Sequence, residues 1–243
     1  MSIPRFYIDA GLASGQQLEL PEDLVRHAQV LRLEAGDALV LFNGHGGEYP
    51  ATVEEMGKRK VRVALAEHCA VNRESPFALT LIQALSASDR MDYTMQKAAE
   101  CGARCVQPIW SEYCSVKLHG ERADKRLQHW QQVAVSACEQ CGRTAVPVIK
   151  PLQKFDDAIV NADPCGLRLL LSPMGARKLD QLPPTASGAT VLIGPEGGFS
   201  AAEEQRAIDA GFTPLWLGPR LFRTETVAPV ISALLQARYG DLC

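Results

Sequence analysis

The chain has 243 residues, of which 47% are hydrophobic and 22% charged, and its formal net charge is −3. This composition is typical of a soluble globular protein that can form one or two domains. No apolar run approaches the ~20 residues that cross a bilayer. The residues after Met1 do not form the basic and then apolar pattern of a secretory signal. We therefore expect a cytoplasmic protein with no membrane partner.

The 8 cysteines are scattered along the chain. Cytosolic thiols stay reduced, so buried structural cysteines are expected. Cys138 and Cys141 form a C-x-x-C pair, but a zinc site needs a second pair of ligands. Cys101 and Cys105 are candidates for the second pair of ligands. The favoured interpretation is that these cysteines pack as small residues. We expect no metal.

Residues 1–72 alternate short apolar runs with turn signals, which predicts a small strand-rich domain of barrel type. The predicted strands are Phe6–Ile8, Gln17–Leu20, Ala38–Phe42, Glu48–Val53 and Val61–Leu65, with one helix at Pro21–Val30. A polar segment that ends at Pro76 is the expected linker.

Residues 77–243 alternate strands with longer helices, which predicts an α/β domain with a mostly parallel sheet covered on both faces. The predicted strands are Ala78–Ala84, Cys105–Ile109, Val146–Ile149, Leu167–Leu171, Val191–Ile193 and Leu215–Leu217. The predicted helices are Asp89–Cys101, Glu121–Cys141, a short one at Asp156–Asn161, and two that follow the last two strands.

Each of the last two strands leads into a glycine turn and then into a helix. Gly194 begins the first turn, and Ser200 begins the capping box S-A-A-E. Gly218 begins the second turn, and Pro229 is expected in the first turn of the last helix. Loops beyond the carboxyl ends of parallel strands bind ligands in open α/β sheets. The chain has neither a Walker A motif nor G-x-G-x-x-G.

These turns read G-P-E-G-G and then L-G-P-R-L-F-R-T-E-T. In this order they resemble the SPOUT methyltransferases, and in particular the ribosomal RNA small subunit methyltransferase E family. His27 with V-L-R, and Glu139 in E-Q-C-G-R, extend the resemblance along the chain. It implies an N-terminal PUA-like RNA-binding barrel and a SPOUT domain with a trefoil knot. It also implies a homodimer that methylates N3 of a uridine in 16S rRNA, within the small ribosomal subunit, using S-adenosylmethionine.

The resemblance implies that the cofactor binds to three loops and to the start of the last helix. The expected cofactor-binding residues are Leu171, Ser172, Pro173, Ile193, Gly194, Pro195, Glu196, Gly197, Leu217, Gly218, Leu221, Thr224, Thr226 and Ala228. Without the resemblance, either glycine turn alone would be an ordinary turn at the end of a strand.

Arg223, Glu225 and Glu139 are the expected catalytic residues. N3 of uridine is weakly nucleophilic until its proton leaves, and a guanidinium near the uracil carbonyls stabilises the resulting anion. The sequence does not identify the base, so Glu196 is a third carboxylate to consider. Alternatively, Arg223 and Glu225 pair with each other and only support the loop.

The expected RNA-binding residues are Arg5, His27, Arg32, Lys117, Arg143 and Arg220. Charge runs such as Lys58–Arg62 are otherwise ordinary solvated surface. Two other functions stay open: a ribose 2′-O-methyltransferase of the same superfamily, and an RNA-binding module without catalytic activity.

Overall fold

The computed structural model describes residues 3–163, 166–172 and 177–242. The chain forms two compact units. Unit 1 consists of residues 1–74 and 138–146, and unit 2 consists of residues 75–137 and 147–243. Residues 138–146, which the sequence suggests are part of the second domain, belong to unit 1 because their contacts are with its first segment.

Unit 1 is a five-stranded sheet with one helix. Its elements are β1 (Arg5–Tyr7), β2 (Gln17–Glu19), α1 (Glu22–Val30), β3 (Ala38–Phe42), β4 (Tyr49–Met56) and β5 (Val61–Leu65). The strand order is β1-β3-β4-β5-β2, with β1 parallel to β3 and the remaining pairs antiparallel. Every second side chain of β5 enters the core of this unit, namely those of Val61, Val63 and Leu65. Successive side chains of a strand point to opposite faces of the sheet, so this alternation indicates that one face is buried.

Unit 2 contains a seven-stranded sheet. Its strands are β6 (Ala78–Ala84), β7 (Ala103–Trp110), β8 (Val148–Ile149), β9 (Gln153–Lys154), β10 (Leu167–Leu171), β11 (Gly188–Ile193) and β12 (Thr213–Leu215). The order is β12-β10-β11-β6-β7-β8, with β9 also paired to β7. Every one of these pairs is parallel.

Helices cover both faces of this sheet. They are α2 (Ser88–Glu100), α3 (Glu121–Cys141, whose last turn belongs to unit 1), α4 (Phe155–Val160), α5 (Ala201–Asp209) and α6 (Thr224–Tyr239). Leu79 and Leu81 of β6 enter a core cluster that includes residues of α2 and α6. Ile82 lies on the opposite face, in a cluster with residues of α4 and α5. The prediction of a parallel sheet covered on both faces is confirmed, while the trefoil knot stays an expectation from the resemblance.

Two local predictions near the cavity are wrong. Pro229 is the sixth residue of α6, beyond its first turn. Because proline has no N–H, it cannot donate to the carbonyl of residue 225 as a helical residue would. The last strand is Thr213–Leu215, so Leu217 belongs to the loop that follows. Among the described helices, none is long and apolar enough to span a membrane.

Candidate active site

A cavity of about 560 Å³ lies at the carboxyl ends of β10, β11 and β12 in unit 2. Its lining comes mainly from three loops and the start of α6. The lining residues are Arg90, Leu171, Ser172, Ile193, Gly194, Pro195, Glu196, Gly197, Gly198, Phe199, Glu204, Leu215, Trp216, Leu217, Gly218, Arg220, Leu221, Phe222, Arg223, Thr224 and Val227. The size is within the range of small-molecule sites, which are ~300–1,000 Å³.

The loop at Gly194 is shaped by hydrogen bonds at both of its ends. The N–H of Gly198 donates to the carbonyl of Pro195 over 3.0 Å, with Gly198 at φ +72°. Ser200 then caps α5, and its capping box with Glu203 is present, which confirms the motif prediction. At the start of the loop, the Thr224 hydroxyl donates to the carbonyl of Gly194 over 2.7 Å.

Gln83 extends this connection into the sheet. Its side-chain amide donates to the Thr224 hydroxyl over 3.1 Å, and Gln83 is fully buried at the end of β6. Thr224 therefore joins α6, the glycine loop and the central strand. This arrangement fixes the cavity wall without using a charged group.

Arg90 is one of the cavity residues that sequence reasoning missed, together with Phe199, Glu204, Leu215, Trp216 and Val227. Its guanidinium lies 2.5 Å from a carboxylate oxygen of Glu196 and 3.9 Å from Glu225. Arg90 thus links the glycine loop to the first turn of α6. It lies six residues beyond the carboxyl end of β6. Loops beyond the carboxyl ends of parallel strands bind ligands in such sheets, so the position of Arg90 is one where a binding residue is expected.

Glu196 is held as a charged group. Burial acts to raise its pKa, but hydrogen bonds from backbone amides, including that of Ala87, and from Arg90 outweigh this effect and leave the pKa below its ordinary value. A carboxylate stabilised in this way is a weak proton acceptor. Glu196 is therefore better suited to positioning Arg90 than to acting as a base.

Arg223 lies at the N-cap of α6 and lines the cavity with its side chain exposed. Within the described residues it forms no side-chain hydrogen bond or ion pair. Glu225 faces Arg90 rather than Arg223, and its Oε2 is buried with no hydrogen-bond partner there. The alternative in which Arg223 and Glu225 pair with each other is wrong for this structure.

Most of the predicted cofactor-binding residues meet in the one cavity. Eleven of them line it: Leu171, Ser172, Ile193, Gly194, Pro195, Glu196, Gly197, Leu217, Gly218, Leu221 and Thr224. Thr226 and Ala228 do not, and Ala228 is fully buried in the core, so we reinterpret it as a packing residue. Pro173 lies outside the described residues.

The lining fits a ligand that is recognised through backbone groups and apolar contacts. Gly218 has φ +102°, and a side chain added there would meet no protein atom within 4 Å, so the backbone borders open space. Gly194 differs, because an added Cβ would lie 3.2 Å from the backbone of Gly198. Its lack of a side chain keeps the loop closed on itself.

Three predicted site residues are internal to unit 1. Arg5 pairs with Glu48 and donates to the backbone carbonyls of residues 142 and 143. The side chain of Arg143 is only 6% exposed and pairs with Glu74 at 2.5 Å. Both guanidinium groups pair with carboxylates within unit 1, which gives Arg5 and Arg143 a structural role. Their contacts with RNA stay a prediction.

Glu139, the third of these residues, accepts a hydrogen bond from the backbone N–H of Tyr7 over 2.9 Å. Burial raises the pKa of Glu139 above its ordinary value. It does not line the cavity in unit 2. Nearby, the side-chain hydrogen bond with Cys141, together with burial, raises the pKa of the Cys138 thiol, which disfavours the thiolate that a metal or a redox reaction needs.

The other predicted RNA-binding residues are exposed. His27 lies on α1 with its ring 4.9 Å from that of Phe6. Arg32 follows α1 at φ +56°. Lys117 lies on the β7–α3 loop, and Arg220 lines the cavity with its side chain exposed.

Comparison with known proteins defines the class of this fold and site. The RNA methyltransferase domain family matches residues 73–236, and the RNA methyltransferase PUA domain family matches residues 20–65. The chain is therefore an RNA methyltransferase by family. It is 31% identical to ribosomal RNA small subunit methyltransferase E of Buchnera aphidicola subsp. Schizaphis graminum, over 99% of this chain and 98% of that protein. The chain belongs to the ribosomal RNA small subunit methyltransferase E family.

Solved structures agree with this assignment over the whole chain. Ribosomal RNA small subunit methyltransferase E from Neisseria gonorrhoeae, bound to S-adenosyl methionine, has 37% identity and a TM-score of 0.94, with 100% of each chain covered. A Legionella pneumophila protein described as a methyltransferase, in complex with the cofactor SAM, has 39% identity and a TM-score of 0.95 at the same coverage.

Proposed function

We propose that this chain transfers a methyl group from S-adenosylmethionine to N3 of a specific uridine in 16S rRNA. The observation that carries this proposal is the cavity at the strand ends, where two glycine loops meet an arginine, Arg223, that has no partner among the described residues. Relatives from Neisseria gonorrhoeae and Legionella pneumophila have been crystallised with the same methyl donor, which supports the choice of cofactor.

Residues of the three loops would hold the cofactor. Gly218 offers its backbone next to open space, and Leu217 and Ser172 also line the cavity. When bound, S-adenosylmethionine supplies an electrophilic methyl group. Positioning then provides much of the rate, because a displacement in line with the sulfonium requires close alignment.

Arg223 acts on the uracil. Its guanidinium stays charged and can donate to a carbonyl oxygen on which negative charge develops as N3 loses its proton. We propose Glu225 as the proton acceptor, because its Oε2 has no hydrogen-bond partner in the described chain and lies 3.9 Å from Arg90, whereas Glu196 lies 2.5 Å from it. Glu225 does not line the cavity itself, but it follows Arg223 and Thr224, which do. Glu139 takes no part in this chemistry, since it is engaged within unit 1.

Unit 1 supplies RNA affinity through exposed polar side chains. His27 and Arg32 are the residues we assign to this contact, and Lys117 and Arg220 add cations on unit 2. Exposed cations bind phosphates without reading sequence, so they orient the RNA while the cavity selects the base. We place the reaction in the cytoplasm, on rRNA within the small ribosomal subunit.

We further propose that the chain acts as a homodimer. An apolar stripe on α6 consists of Val230, Ala233 and Leu234, which are partly exposed and recur at helical spacing. A second copy of the chain would cover such a stripe by a two-fold interface. Sedimentation analysis of the wild type and of Leu234→Glu tests this, and a monomeric wild type contradicts it.

Nucleoside analysis of 16S rRNA from cells that lack this chain tests the reaction. We expect a missing N3-methyluridine that returns with the wild-type gene. Loss of a ribose-methylated nucleoside instead would indicate the 2′-O reaction. Unchanged rRNA, with no S-adenosylmethionine binding by calorimetry, would indicate an RNA-binding module.

A further inference from the structure

The β7–α3 loop holds an exposed aromatic ring beside the cavity. Tyr113 is 50% exposed although it contacts the glycine loop. A Cβ added to Gly197 would lie 3.1 Å from the Cβ of Tyr113 and 3.7 Å from the first ring carbon. Since Gly197 lines the cavity, the Tyr113 ring stands at its rim.

The backbone that carries this ring is held by hydrogen bonds of the neighbouring residues. The backbone N–H of Glu112 donates to Glu203 over 2.9 Å, and Glu203 is the buried capping residue of α5. On the other side, the N–H of Cys114 donates to the carbonyl of Ser111 over 3.2 Å. Tyr113 therefore sits in a closed turn that is anchored to the helix after the glycine loop.

Folding alone does not account for an exposed ring at this place. A second aromatic ring lies just before this loop, at the end of β7. It is the ring of Trp110, which is partly buried and stacks on His119, with ring centroids 5.3 Å apart. Tyr113 instead turns its ring to solvent next to the cavity. Lys117, exposed on the same loop, places a cation nearby in the sequence.

We propose that Tyr113 stacks on an unpaired base of the RNA substrate at the mouth of the cavity, with Lys117 contacting the adjoining phosphate. An enzyme that modifies N3 of a uridine must remove that base from pairing, because N3 lies on the Watson–Crick edge. Extruded bases are held by stacking on aromatic side chains. This inference rests on the proposed function, because it requires an RNA substrate that is modified at N3 of a uridine.

Three variants of Tyr113 test the stacking. Tyr113→Phe keeps the ring, Tyr113→Leu keeps the apolar bulk, and Tyr113→Ala removes both. With small ribosomal subunits that lack the modification and labelled S-adenosylmethionine, we expect kcat/KM to fall about tenfold for the Leu and Ala variants, the scale of one lost base–aromatic contact. The Phe variant should stay within about twofold, and cofactor affinity by calorimetry should not change.

Tyr93→Ala is the matched control, because Tyr93 is 44% exposed on α2 and does not line the cavity. Full activity of Tyr113→Ala would overturn the proposal. So would a Leu variant as active as the Phe variant, which would indicate apolar packing, or a parallel loss of cofactor affinity, which would indicate support of the Gly197 loop.

A second measurement does not depend on methyl transfer. Oligouridylate is photocrosslinked to the intact wild-type protein, and the crosslinked peptides are mapped by mass spectrometry. We expect a crosslink at Tyr113. A crosslink there without any methylation of rRNA would support the stacking while removing the proposed reaction. Methylation with crosslinks only elsewhere would overturn the stacking and leave the reaction standing.

Discussion

The hydroxyl of Thr224 donates to the carbonyl oxygen of Gly194 over 2.7 Å. Through this contact the first residue of α6 closes the loop that follows β11. The same hydroxyl accepts from the buried amide of Gln83, so both of these hydrogen bonds are made to the cavity wall and the strand behind it. The shape of the cavity therefore depends on a neutral, buried network rather than on charge.

Replacing Thr224 with valine keeps the shape of the side chain and removes the hydroxyl. The buried amide of Gln83 and the carbonyl of Gly194 then lose a partner, which costs about 1–3 kcal/mol. We expect a lower melting temperature and weaker S-adenosylmethionine binding, measured by thermal denaturation and calorimetry. Thr224→Ser keeps the hydroxyl and should behave like the wild type. Equal behaviour of the Val and Ser variants would contradict the role of the network.

Arg90 should strengthen cofactor binding, because it links the glycine loop to the first turn of α6 through Glu196 and Glu225. Arg90→Ala is expected to weaken S-adenosylmethionine affinity about tenfold, a change equivalent to ~1.4 kcal/mol. In a double-mutant cycle with Glu196→Gln, the losses of binding free energy in the two single variants should not add in the double variant, because both substitutions remove the same contact. Arg206→Ala is the control, because Arg206 pairs with Asp156 and neither residue lines the cavity. Additive losses would contradict the coupling.

Glu139 should affect stability in a pH-dependent manner without affecting chemistry. Its pKa is raised by burial, so the folded state favours the protonated form. The contribution of Glu139 to stability is therefore greatest below its ordinary value of 4.5 and is lost as the pH rises through the raised pKa.

Glu139→Gln keeps an acceptor for the N–H of Tyr7 and removes the charge. We expect the variant to gain stability relative to the wild type as the pH rises from 4.5 to neutrality, and to retain methyl transfer. Urea denaturation across this range measures the first effect. A variant that is stable but inactive would place Glu139 in the catalytic machinery after all.

Arg223→Lys keeps the positive charge but loses the two-pronged hydrogen bonding of a guanidinium. We expect methyl transfer to fall about 10²-fold, the scale seen when an oxyanion donor is removed. Cofactor affinity and melting temperature should change little, because Arg223 forms no ion pair among the described residues. The measurement is single-turnover methylation of small ribosomal subunits. Arg206→Lys, at an arginine that pairs with Asp156 and does not line the cavity, is the matched control.

Much of the fold could be predicted from the sequence because its elements have strong periodicity. The predicted bounds of β6, β10 and α3 agree with the structure at both ends. The two glycine loops were found from strand, turn and capping signals together. Pro229 was placed wrongly because the rule against interior proline is a tendency that the packed helix overrides here.

The roles of charged residues were harder to predict. A sequence displays Arg5 and Arg143 as cations but not their partners Glu48 and Glu74, which are 43 and 69 residues away. Each looked like a group free to bind RNA until its carboxylate was located. Arg90 was overlooked because no glycine turn marks its position, although it lies only six residues beyond the end of β6.

The central claim is methyl transfer to N3 of uridine in 16S rRNA, and label transfer tests it most directly. Small ribosomal subunits that lack the modification are incubated with the purified chain and S-adenosylmethionine carrying a labelled methyl group. The rRNA is then digested to nucleosides and analysed by mass spectrometry. We expect label in N3-methyluridine with the wild type and about 10²-fold less with Arg223→Lys. Label in a 2′-O-methylated nucleoside, or no label in 16S rRNA, would contradict it.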